Sequence, residues 1–589
     1  MAKQMNLTKF IKSVDTLTHN LSHEKLELFI HNFARTLPEY GREQFLEGLS
    51  AMDEMALLAG GKSGLKKADS AELQEEITRV NEELQLIEDG ELCLTGEINE
   101  EYDDWYNSSE DEFIFSDPDG IAETLEQACD IVHRCVDNEF YKEAYVFSDR
   151  LLALDILVGG DYADCVGESL SLKDITEKGL CSVDVRQLVL DALYAAYKAN
   201  TLENRAQVMY WLIYNAGCND VTLESLLQEN REELEQIPEF LCLWTDFLGA
   251  RSEHIAKVLL SEALNLQNDE EQMLQTARKF YKQHPGIYEQ ILKQNLAGDK
   301  CEDQLLVGKE ALLAIPQQYV IRSRIALLTS VYALRLNKQV EAELCWLEAF
   351  RSDTSAVNYL RLAVNSADFL KYREEVHKIY EEAFAESKKN TYPYQDSEIR
   401  MNCIDEKTYY ALAFFDGEFH HVIKDGMNEK NSLGWSFTFM KEGIALFLLY
   451  LYKGERLMAG CRSMCTLVLD EIPFTTEKYM QGLFDPSDLD CVSLFWKCFS
   501  DWKKNNVIQE AEEQQIMEML ENRIWMRVQG IMENNRRNYY NECAAFIAAL
   551  GEVRESRGEA NGKTRLMEAY RSAYSRRSAF RKELTTFGM

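Results

Sequence analysis

The chain has 589 residues, 46% of them hydrophobic and 11% aromatic, which suits a packed core and not a disordered polypeptide. Its formal net charge is −37, from 100 acidic and 63 basic residues, so its overall field should repel nucleic acid and anionic lipid. The 15 cysteines are scattered, and no secretory signal precedes them, which predicts free thiols in a reducing cytoplasm.

The first part of the sequence has the pattern of short helices followed by a linker. Ser22 can cap a helix that carries Leu26 and Phe33 on one face. Residues 59–68 are rich in glycine and lysine, which favours a linker. We therefore expect a helical N-terminal cap over residues 1–58.

The next predicted helix carries an apolar seam. Asp69 and Glu72 have the spacing of a capping box. Apolar residues then recur every three or four positions, as in a coiled coil. They are Leu73, Ile77, Val80, Leu84 and Ile87. A seam of about two heptads is too short for self-association, so we predict that it packs on neighbouring helices.

An acidic and aromatic segment completes the second predicted region, residues 59–120. The span Glu97–Asp119 holds ten acidic residues and no basic one. Five rings are interleaved with them: Tyr102, Trp105, Tyr106, Phe113 and Phe115. Because so many rings are costly to expose, we expect the segment to lie along the protein with its rings buried. The alternative is a mobile acidic motif that binds a partner.

From residue 121 to residue 507 the sequence repeats a phrase of helix, short break and helix. The breaks lie near Gly298, Asn337-Lys338, Lys371-Tyr372, Asp416-Gly417-Glu418-Phe419 and Lys453-Gly454, and a similar one is Asn138–Ala144. Their spacing of 34 to 46 residues is typical of stacked helical hairpins. The match is poorer over Leu188–Leu266. We predict an all-α fold, a solenoid of TPR- or HEAT-like helical hairpins.

The most apolar run, Ile444–Tyr452, has about half of the roughly 20 residues needed to cross a bilayer. It therefore predicts a buried helix of the array and not a membrane span.

Residues 508–589 form a predicted basic helical module. Between Glu533 and Glu583 there are eleven basic and seven acidic residues. The pattern predicts two helices, Tyr539–Ser556 and Lys563–Leu584. Their basic face has three interpretations: a solvated surface, a nucleic-acid contact, or packing on neighbouring helices or on the acidic span Glu97–Asp119. Charge complementarity favours packing, so Arg576 and Arg577 join Tyr102, Trp105 and Tyr106 as candidates for internal docking or partner binding.

Two stretches near the C-terminus carry a family resemblance. They are Tyr539-Tyr540-x-Glu542-Cys543-Ala544-Ala545-Phe546-Ile547 and Tyr574-x-Arg576-Arg577-x-Ala579-Phe580-x-x-Glu583-Leu584. Together they resemble the C-terminal helical end of bacterial SWIM zinc-finger proteins, where a similar phrase closes a TPR-like region. The stretch from Tyr102 to Ala144 is similar to uncharacterised bacterial TPR-like proteins of that group. The finger needs Cys-x-Cys followed by Cys-x-His, which this sequence lacks, so the resemblance implies a helical scaffold without the zinc site.

Other candidate sites have simpler explanations. Cys129, His133 and Cys135 come closest to a metal cluster, but free cysteine is more often core. Cys461 and Cys465 share a helical face and receive the same interpretation. We predict no metal site and no cofactor.

One polar group could suggest catalysis. His420 and His421 follow Asp416 and Glu418 at a predicted break, where a solvated hairpin tip is expected. Nucleotide-binding glycine motifs and nucleophile elbows are absent from the sequence. We predict that the protein is not an enzyme.

These observations predict a cytoplasmic scaffold or adaptor. Its partner, a protein or peptide, would bind on the concave face of the helical-repeat array. The alternative is a regulatory or defence-associated subunit that works with nucleic-acid machinery, as the SWIM-like tail implies. No membrane association is expected.

Overall fold

The computed structural model describes most of the protein after residue 68. The described residues are 69–99, 113–217, 221–229, 231, 234–389, 399–400, 402–483 and 488–588. Helix makes up 71% of the structure, in 27 helices among these residues, so the prediction of a mainly helical protein is confirmed. The predicted N-terminal cap and linker lie outside the described residues. The protein divides into two compact units, Met1–Asp184 and Val185–Met589.

The described part of the first unit combines helices with a small sheet. Its helices are α1 (Asp69–Glu88), α2 (Ile121–Asp137), α3 (Tyr141–Leu152), α4 (Asp161–Cys165) and α5 (Leu172–Glu177), and its strands are β1 (Leu94–Ile98), β2 (Phe113–Ser116), β3 (Ile156–Gly159) and β4 (Ser169–Leu170). The turn between α2 and α3 falls at the predicted break, where Glu139 adopts a left-handed φ of 64°.

The sheet has the strand order β2-β1-β3-β4. Strand β1 pairs antiparallel with β2 and parallel with β3, while β3 pairs antiparallel with β4. A parallel pair requires a long crossover connection, and α2 and α3 lie in the connection here. The sequence pattern predicts only helices from Ile121 onward, which is wrong for residues 156–170. Strands of two and four residues are too short to show a strand period.

Part of the acidic and aromatic segment belongs to this sheet. Phe113 and Phe115 lie on one face of β2, half-buried, with ring centroids 5.1 and 5.2 Å from that of Tyr162. Gly96 of β1 makes room for this cluster, because a Cβ there would lie 2.7 Å from Tyr162 Cβ. These two rings pack on the protein, as expected for the segment. Residues 100–112 lie outside the described residues, so the remainder of that expectation stays a prediction.

Helix α1 buries its apolar seam within the first unit. Leu73, Val80, Leu84 and Ile87 are all at most 3% exposed. The helix packs on α2, where Arg134 Nη1 lies 2.8 Å from Glu76 Oε2. It is also tied to α3 by Arg150, whose Nε lies 2.6 Å from Glu88 Oε1. The seam therefore packs within the protein, as predicted.

The described part of the second unit is built from helices. They are α6 (Val185–Ala199), α7 (Leu202–Ala216), α8 (Leu223–Gln228), α9 (Ile237–Gly249), α10 (His254–Gln267), α11 (Glu270–Phe280), α12 (Gly286–Gln294), α13 (Cys301–Ala314), α14 (Ile321–Arg335), α15 (Gln339–Ser352), α16 (Ala356–Asn365), α17 (Leu370–Ser387), α18 (Glu406–Phe415), α19 (Phe419–His421), α20 (Met440–Leu451), α21 (Ala459–Glu471), α22 (Thr476–Gln481), α23 (Cys491–Asn505), α24 (Glu510–Glu533), α25 (Tyr540–Ser556), α26 (Gly562–Ala573) and α27 (Ser578–Thr586).

From α9 to α18 the helices contact neighbours one or two places along the sequence. The predicted breaks at Gly298, Asn337, Gly417 and Gly454 all fall between helices. The predicted break at Lys371-Tyr372 is wrong, because both residues lie in the first turn of α17. The turn comes earlier, at residues 366–369, where the Ala367 N–H donates to Glu343 Oε1 over 2.9 Å.

Two later helices return to the middle of the array. Helix α22 contacts α14 and α16, and α23 also contacts α16. The fully buried Arg361 of α16 donates to the carbonyl oxygens of Lys478 and Tyr479, the latter over 3.0 Å. Trp502 Nε1 of α23 donates to the Phe415 carbonyl oxygen over 2.8 Å. Helices far apart in sequence therefore pack together here, whereas a succession of local hairpins would contact only neighbours in sequence.

The apolar run predicted to be a buried helix is α20. Its residues from Ile444 to Leu451 are at most 5% exposed, among the rings of Phe414, Phe419 and Trp502. Among the described residues, no helix combines the length and the apolar composition that crossing a bilayer requires.

Helix α21 receives its N-terminal cap from a distant helix. The backbone N–H groups of Gly460 and Cys461 donate to the two carboxylate oxygens of Glu552 in α25, over 2.9 and 2.7 Å. Lys563 Nζ lies 2.8 Å from the same buried carboxylate. The two helices approach so closely that a Cβ on Gly460 would lie 2.4 Å from the backbone nitrogen of Ala549. Here the carboxylate neutralises the positive end of a helix dipole.

The C-terminal helices pack on the array. Helices α24 and α25 contact α20, and α25 also contacts α21. The predicted boundary at residue 507 therefore lies inside the second unit, as the one at residue 120 lies inside the first. The predicted helix Lys563–Leu584 is two helices, α26 and α27, because the backbone turns between Tyr574 and Arg577.

Candidate functional site

A cleft with a mainly apolar lining lies along α13, α15 and the first turns of α17. Its volume is about 830 Å³. The turn after α13 forms one wall with Ile315, Pro316 and Gln317. A second cleft of about 460 Å³, lined by α17, shares Gln317 and Arg351 with it. The two clefts therefore adjoin each other along α13, α15 and α17, and together they are called the groove.

Leucine side chains are exposed to solvent at this groove. Leu313 of α13 is 89% exposed and Leu344 of α15 is 50% exposed, and both line the larger cleft. The same two helices expose Leu306 and Val340, at 65% and 60%. Single exposed leucines are ordinary on protein surfaces, but several on adjacent helices mark a surface for apolar contacts.

The local sequence explains why leucines face both ways on α13. Leu305 and Leu306 are consecutive, as are Leu312 and Leu313 seven residues later. Residues seven apart share a helical face, so Leu305 lies above Leu312 and Leu306 above Leu313. Leu312 is half-buried and lines the cleft with Leu313. Leu305 is 2% exposed while Leu306 is 65% exposed.

Charged residues around the cleft are paired with one another. Lys309 Nζ lies 2.5 Å from Glu341 Oε2, which links α13 to α15. Arg351 Nε lies 3.2 Å from Glu348 Oε1, and its Nη2 also contacts Glu375 of α17. These pairs frame the apolar floor and leave little net charge in the cleft itself.

The buried side chain of Arg322 holds the wall of the cleft by hydrogen bonds. This side chain is 4% exposed, and its Nη2 donates to the Leu312 carbonyl oxygen and to Glu348 Oε2, both over 2.8 Å. Burial lowers the pKa of the guanidinium, against the attraction of Glu348. An arginine stays charged under these conditions, so Arg322 holds the end of α13 in position.

The thiol at the base of the cleft is unreactive. Burial raises the pKa of Cys345 to about 12, so the side chain is a protonated apolar group at neutral pH. Since a thiolate is the nucleophile in cysteine chemistry, Cys345 is not poised for catalysis. The cleft offers apolar surface and paired charges.

The residues proposed as sites from sequence lie elsewhere. Tyr102, Trp105 and Tyr106 are outside the described residues. Arg576 is exposed, whereas Arg577 is partly buried and donates to the Met532 carbonyl oxygen over 2.9 Å and to Asn535.

Other basic residues of the C-terminal module form ion pairs. Several pair with acidic residues of the same unit: Arg554 with Glu521, Arg557 with Glu513, Lys563 with Glu552 and Arg565 with Glu559. Packing against neighbouring helices, one of the three interpretations of this module, therefore describes Arg554, Arg557 and Lys563, while Arg565 is exposed and pairs within the module. Docking on the acidic segment stays a prediction.

The expected solvated tip at Asp416–His421 is partly wrong. His420 is exposed and Glu418 is partly exposed, but Asp416 is only 3% exposed. Side chains from α17, which the sequence did not connect with this turn, cover it.

No protein-family model matches this sequence, and no curated protein shows a significant match to it.

Sequence reasoning missed the groove, although a signal was present. Doubled leucines at a seven-residue interval, as in α13, make a helix apolar on two faces. Such a helix either has both apolar faces buried or leaves one of them exposed to solvent. The sequence alone does not decide between these two cases, because the helix that would cover the second face need not be adjacent in sequence.

Proposed function

We propose that this protein is a non-enzymatic cytoplasmic scaffold or adaptor. Its groove along α13, α15 and α17 would hold an extended or helical peptide segment of a partner protein. The observation that supports this most directly is the exposure of Leu313 and Leu344 in a cleft of about 830 Å³. Apolar side chains of a partner would remove these leucines from water, at about 25 cal/mol per Å² of buried apolar surface.

The helix pairing supports a solenoid of TPR-like hairpins as the framework. Each helix from α9 to α18 contacts neighbours one or two places along the sequence. In such a stack alternate helices form one layer, so side chains of α13, α15 and α17 add up to one continuous face. The return of α22 and α23 to α14 and α16 makes this an irregular member of that architecture.

The charge of the protein indicates the composition of the partner segment. The rim charges of the cleft are already paired, so they contribute little net attraction. The field of the whole molecule, with a formal charge of −37, favours cationic ligands. We therefore propose a segment with two or more apolar anchors flanked by lysine or arginine.

Two further points support this choice over its alternatives. The described cysteines are all free thiols, which suits a reducing compartment. Four basic residues of the C-terminal module are ion-paired internally, which weakens the case for the alternative role with nucleic-acid machinery. That alternative would be favoured by partners that are lost on nuclease treatment of an affinity-purified complex.

A displayed library of random peptides, selected on the purified full-length protein, tests the proposal. We expect enrichment of sequences with paired apolar anchors and flanking basic residues. A synthetic copy of an enriched peptide should bind in solution with an affinity that falls moderately as salt is raised, because its basic flanks are screened. Failure of any peptide to enrich, or enrichment of acidic sequences, would overturn the assignment.

Variants locate the binding in the groove. Leu313→Glu and Leu344→Glu place charges where the anchors would sit, and each should weaken peptide binding by about tenfold or more. Val507→Glu is the matched control, because Val507 is 79% exposed but does not line the cleft. Equal affinity of the double leucine variant and the wild type would exclude this groove as the binding surface.

A further inference from the structure

A compact group of polar side chains lies away from the groove, where α17 faces the end of α18. His377, Asp416 and Glu418 each bring one nitrogen or oxygen atom to a common point, with these atoms all within 4.8 Å of one another. Tyr380 and Arg373 of α17 border the group. Asp416 is buried, while His377 and Glu418 are 39% and 36% exposed at their side chains.

The backbone around Asp416 is firmly held. The carbonyl oxygen of Phe415, the preceding residue, accepts hydrogen bonds from Tyr359 Oη and Trp502 Nε1, over 2.9 and 2.8 Å. Gly417 follows with a left-handed φ of 82°, which a side chain would strain. This turn brings Glu418 back to the side of Asp416, so the two carboxylates flank one fixed corner of the backbone.

Arg373 orients the buried carboxylate. Its Nε donates to Asp416 Oδ1 over 3.0 Å, and its Nη2 donates to the carbonyl oxygen of the same residue. The second carboxylate oxygen, Oδ2, is turned toward His377 and Tyr380. Carboxylates that bind metal ions are themselves held by hydrogen bonds from neighbouring groups, as Asp416 is held here by Arg373.

His377 Nδ1 faces more oxygen atoms than one proton can satisfy. It lies 3.0 Å from Asp416 Oδ2, 2.8 Å from Tyr380 Oη and 3.7 Å from Glu418 Oε1. Tyr380 Oη is in turn 3.2 Å from Asp416 Oδ2. The imidazole nitrogen has either one hydrogen or one lone pair, and the phenol has one hydrogen. The three close pairs are Nδ1 with Oδ2, Nδ1 with Oη, and Oη with Oδ2. They share at most two hydrogens, so at least one pair has no hydrogen of its own.

The spacing of the donor atoms fits a small divalent cation. Ligands about 2.1 Å from one metal ion lie roughly 3.0–3.4 Å apart for octahedral or tetrahedral angles. The distances from Nδ1 to Asp416 Oδ2 and Glu418 Oε1, 3.0 and 3.7 Å, are close to this range. Glu418 is partly exposed, so a small rotation of its side chain would complete the approach.

We propose that His377 Nδ1, Asp416 Oδ2 and Glu418 Oε1 form a binding site for a first-row divalent cation of the Zn²⁺ type. One imidazole and two carboxylates suit such an ion, and Mg²⁺ or Ca²⁺ would favour oxygen ligands alone. Counting Arg373 against the two carboxylates leaves one net negative charge, which attracts the cation. The ion would join α17 to the turn after α18, and water would complete its coordination.

Tyr380 supports the site without being a ligand. Its hydroxyl donates to Asp416 Oδ2 over 3.2 Å, as hydroxyl groups behind metal-bound carboxylates do.

Titration of the chelator-treated full-length protein with Zn²⁺, followed by calorimetry, tests the site. Excess Mg²⁺ in the buffer occupies weak sites on the acidic surface. We expect one equivalent of Zn²⁺ to bind and to raise the melting temperature. His377→Gln and Glu418→Gln should each weaken binding by about tenfold or more and reduce the thermal shift. Both side chains are partly exposed, so neither change should prevent folding; a failure of Asp416→Asn to fold would not affect this comparison.

Two controls make the result specific. His421→Gln removes a nearby imidazole whose two nitrogens already contact Tyr409 Oη and Asp425 Oδ2, and it should leave binding unchanged. Co²⁺ in place of Zn²⁺ distinguishes this site from cysteine sites, since thiolate ligands add near-ultraviolet charge-transfer absorption. Zn²⁺ binding that is equal in wild type and His377→Gln, or Co²⁺ spectra with thiolate character, would overturn the assignment. Either result would leave the peptide groove untouched.

Discussion

Lys503 is a partly buried lysine whose surroundings disfavour its charge. It belongs to α23, and its Nζ donates to the Tyr452 carbonyl oxygen over 2.5 Å. Burial lowers its pKa to about 8, and Glu513 only partly opposes that effect. In the unfolded protein the same lysine has an ordinary pKa near ~10.4. Between these two values the unfolded protein binds a proton that the folded protein does not.

This difference predicts how stability responds to pH. Because the pKa is depressed in the folded state, the contribution of Lys503 to stability is complete above the unfolded pKa and decreases as pH falls toward 8. The free energy of unfolding should therefore rise between pH 8 and pH 9.5 by about 1–2 kcal/mol from this residue. The measurement is urea denaturation at several pH values in that window.

The neighbouring lysine provides a control for that experiment. Lys503→Met should remove the rise, while Lys504→Met should keep it, because Lys504 is exposed and its Nζ pairs with Asp501 Oδ1 over 2.6 Å. Buried tyrosines such as Tyr332, whose pKa burial raises to about 12, act in the opposite direction at higher pH. Comparing variants within the window separates the two effects. An identical slope for wild type and Lys503→Met would refute the prediction.

At the residue scale, the sequence identifies single polar residues but not the distant residues that contact them. Its pattern predicts that Asp416 and Glu418 are solvated. The partner that changes this view, His377, is 39 residues away from Asp416 and lies on another helix. Such a pairing depends on how α17 packs against α18, and no local pattern encodes it.

At the scale of elements, the junction of α21 with α25 depends on one missing side chain. Gly460→Ala would place a Cβ 2.4 Å from the backbone nitrogen of Ala549, and backbone atoms cannot move aside as the end of a flexible side group does. We expect a loss of about 1–3 kcal/mol in the free energy of unfolding, since the helices must separate. Chemical denaturation of the two proteins measures it.

Gly298→Ala is the comparison for this variant. Gly298 lies in a turn, and its nearest neighbour to an added Cβ is the Asn295 carbonyl oxygen at 3.4 Å, an ordinary contact. That change should cost far less than Gly460→Ala. If both changes had the same effect, close packing at α21 would not be what Gly460 provides.

Elements with a strong local pattern were predicted well, and those without one were not. The seam of α1 and the apolar run of α20 are buried where the periodicity and composition required. The strands β1 to β4 have only two to five residues each, which is too short for a recognisable strand period. The split between α26 and α27 was also missed, because Tyr574 to Arg577 contains neither glycine nor proline.

At the scale of the whole molecule, electrostatic repulsion should limit stability. The formal charge of −37 is much larger than a compact protein requires for solubility. Screening lengths fall from about 30 Å at 0.01 M salt to about 10 Å at 0.1 M. We therefore expect the melting temperature to rise by a few degrees over this range of sodium chloride. Scanning calorimetry at fixed pH measures the effect, and a decrease would mean that the internal ion pairs outweigh the net repulsion.

The domain organisation was the least predictable feature at this scale. The composition change near residue 507 suggested a separate basic module, yet α24 and α25 pack on α20 and α21 in one compact unit. A local excess of basic residues describes the surface of those helices. It does not show which helices cover their apolar faces, and only the packing decides that.

The cap on α21 has a consequence for the synthesis of the protein. Glu552 is 91 residues further along the sequence than Cys461, whose N–H it accepts. A ribosome adds about 5–20 residues per second, so the helix leaves the exit tunnel roughly 5–20 s before its cap. During that interval the apolar surface that α25 later covers is open to chaperones. Nascent polypeptides stalled before residue 552 has left the tunnel should therefore recruit more chaperone than those stalled after it has left.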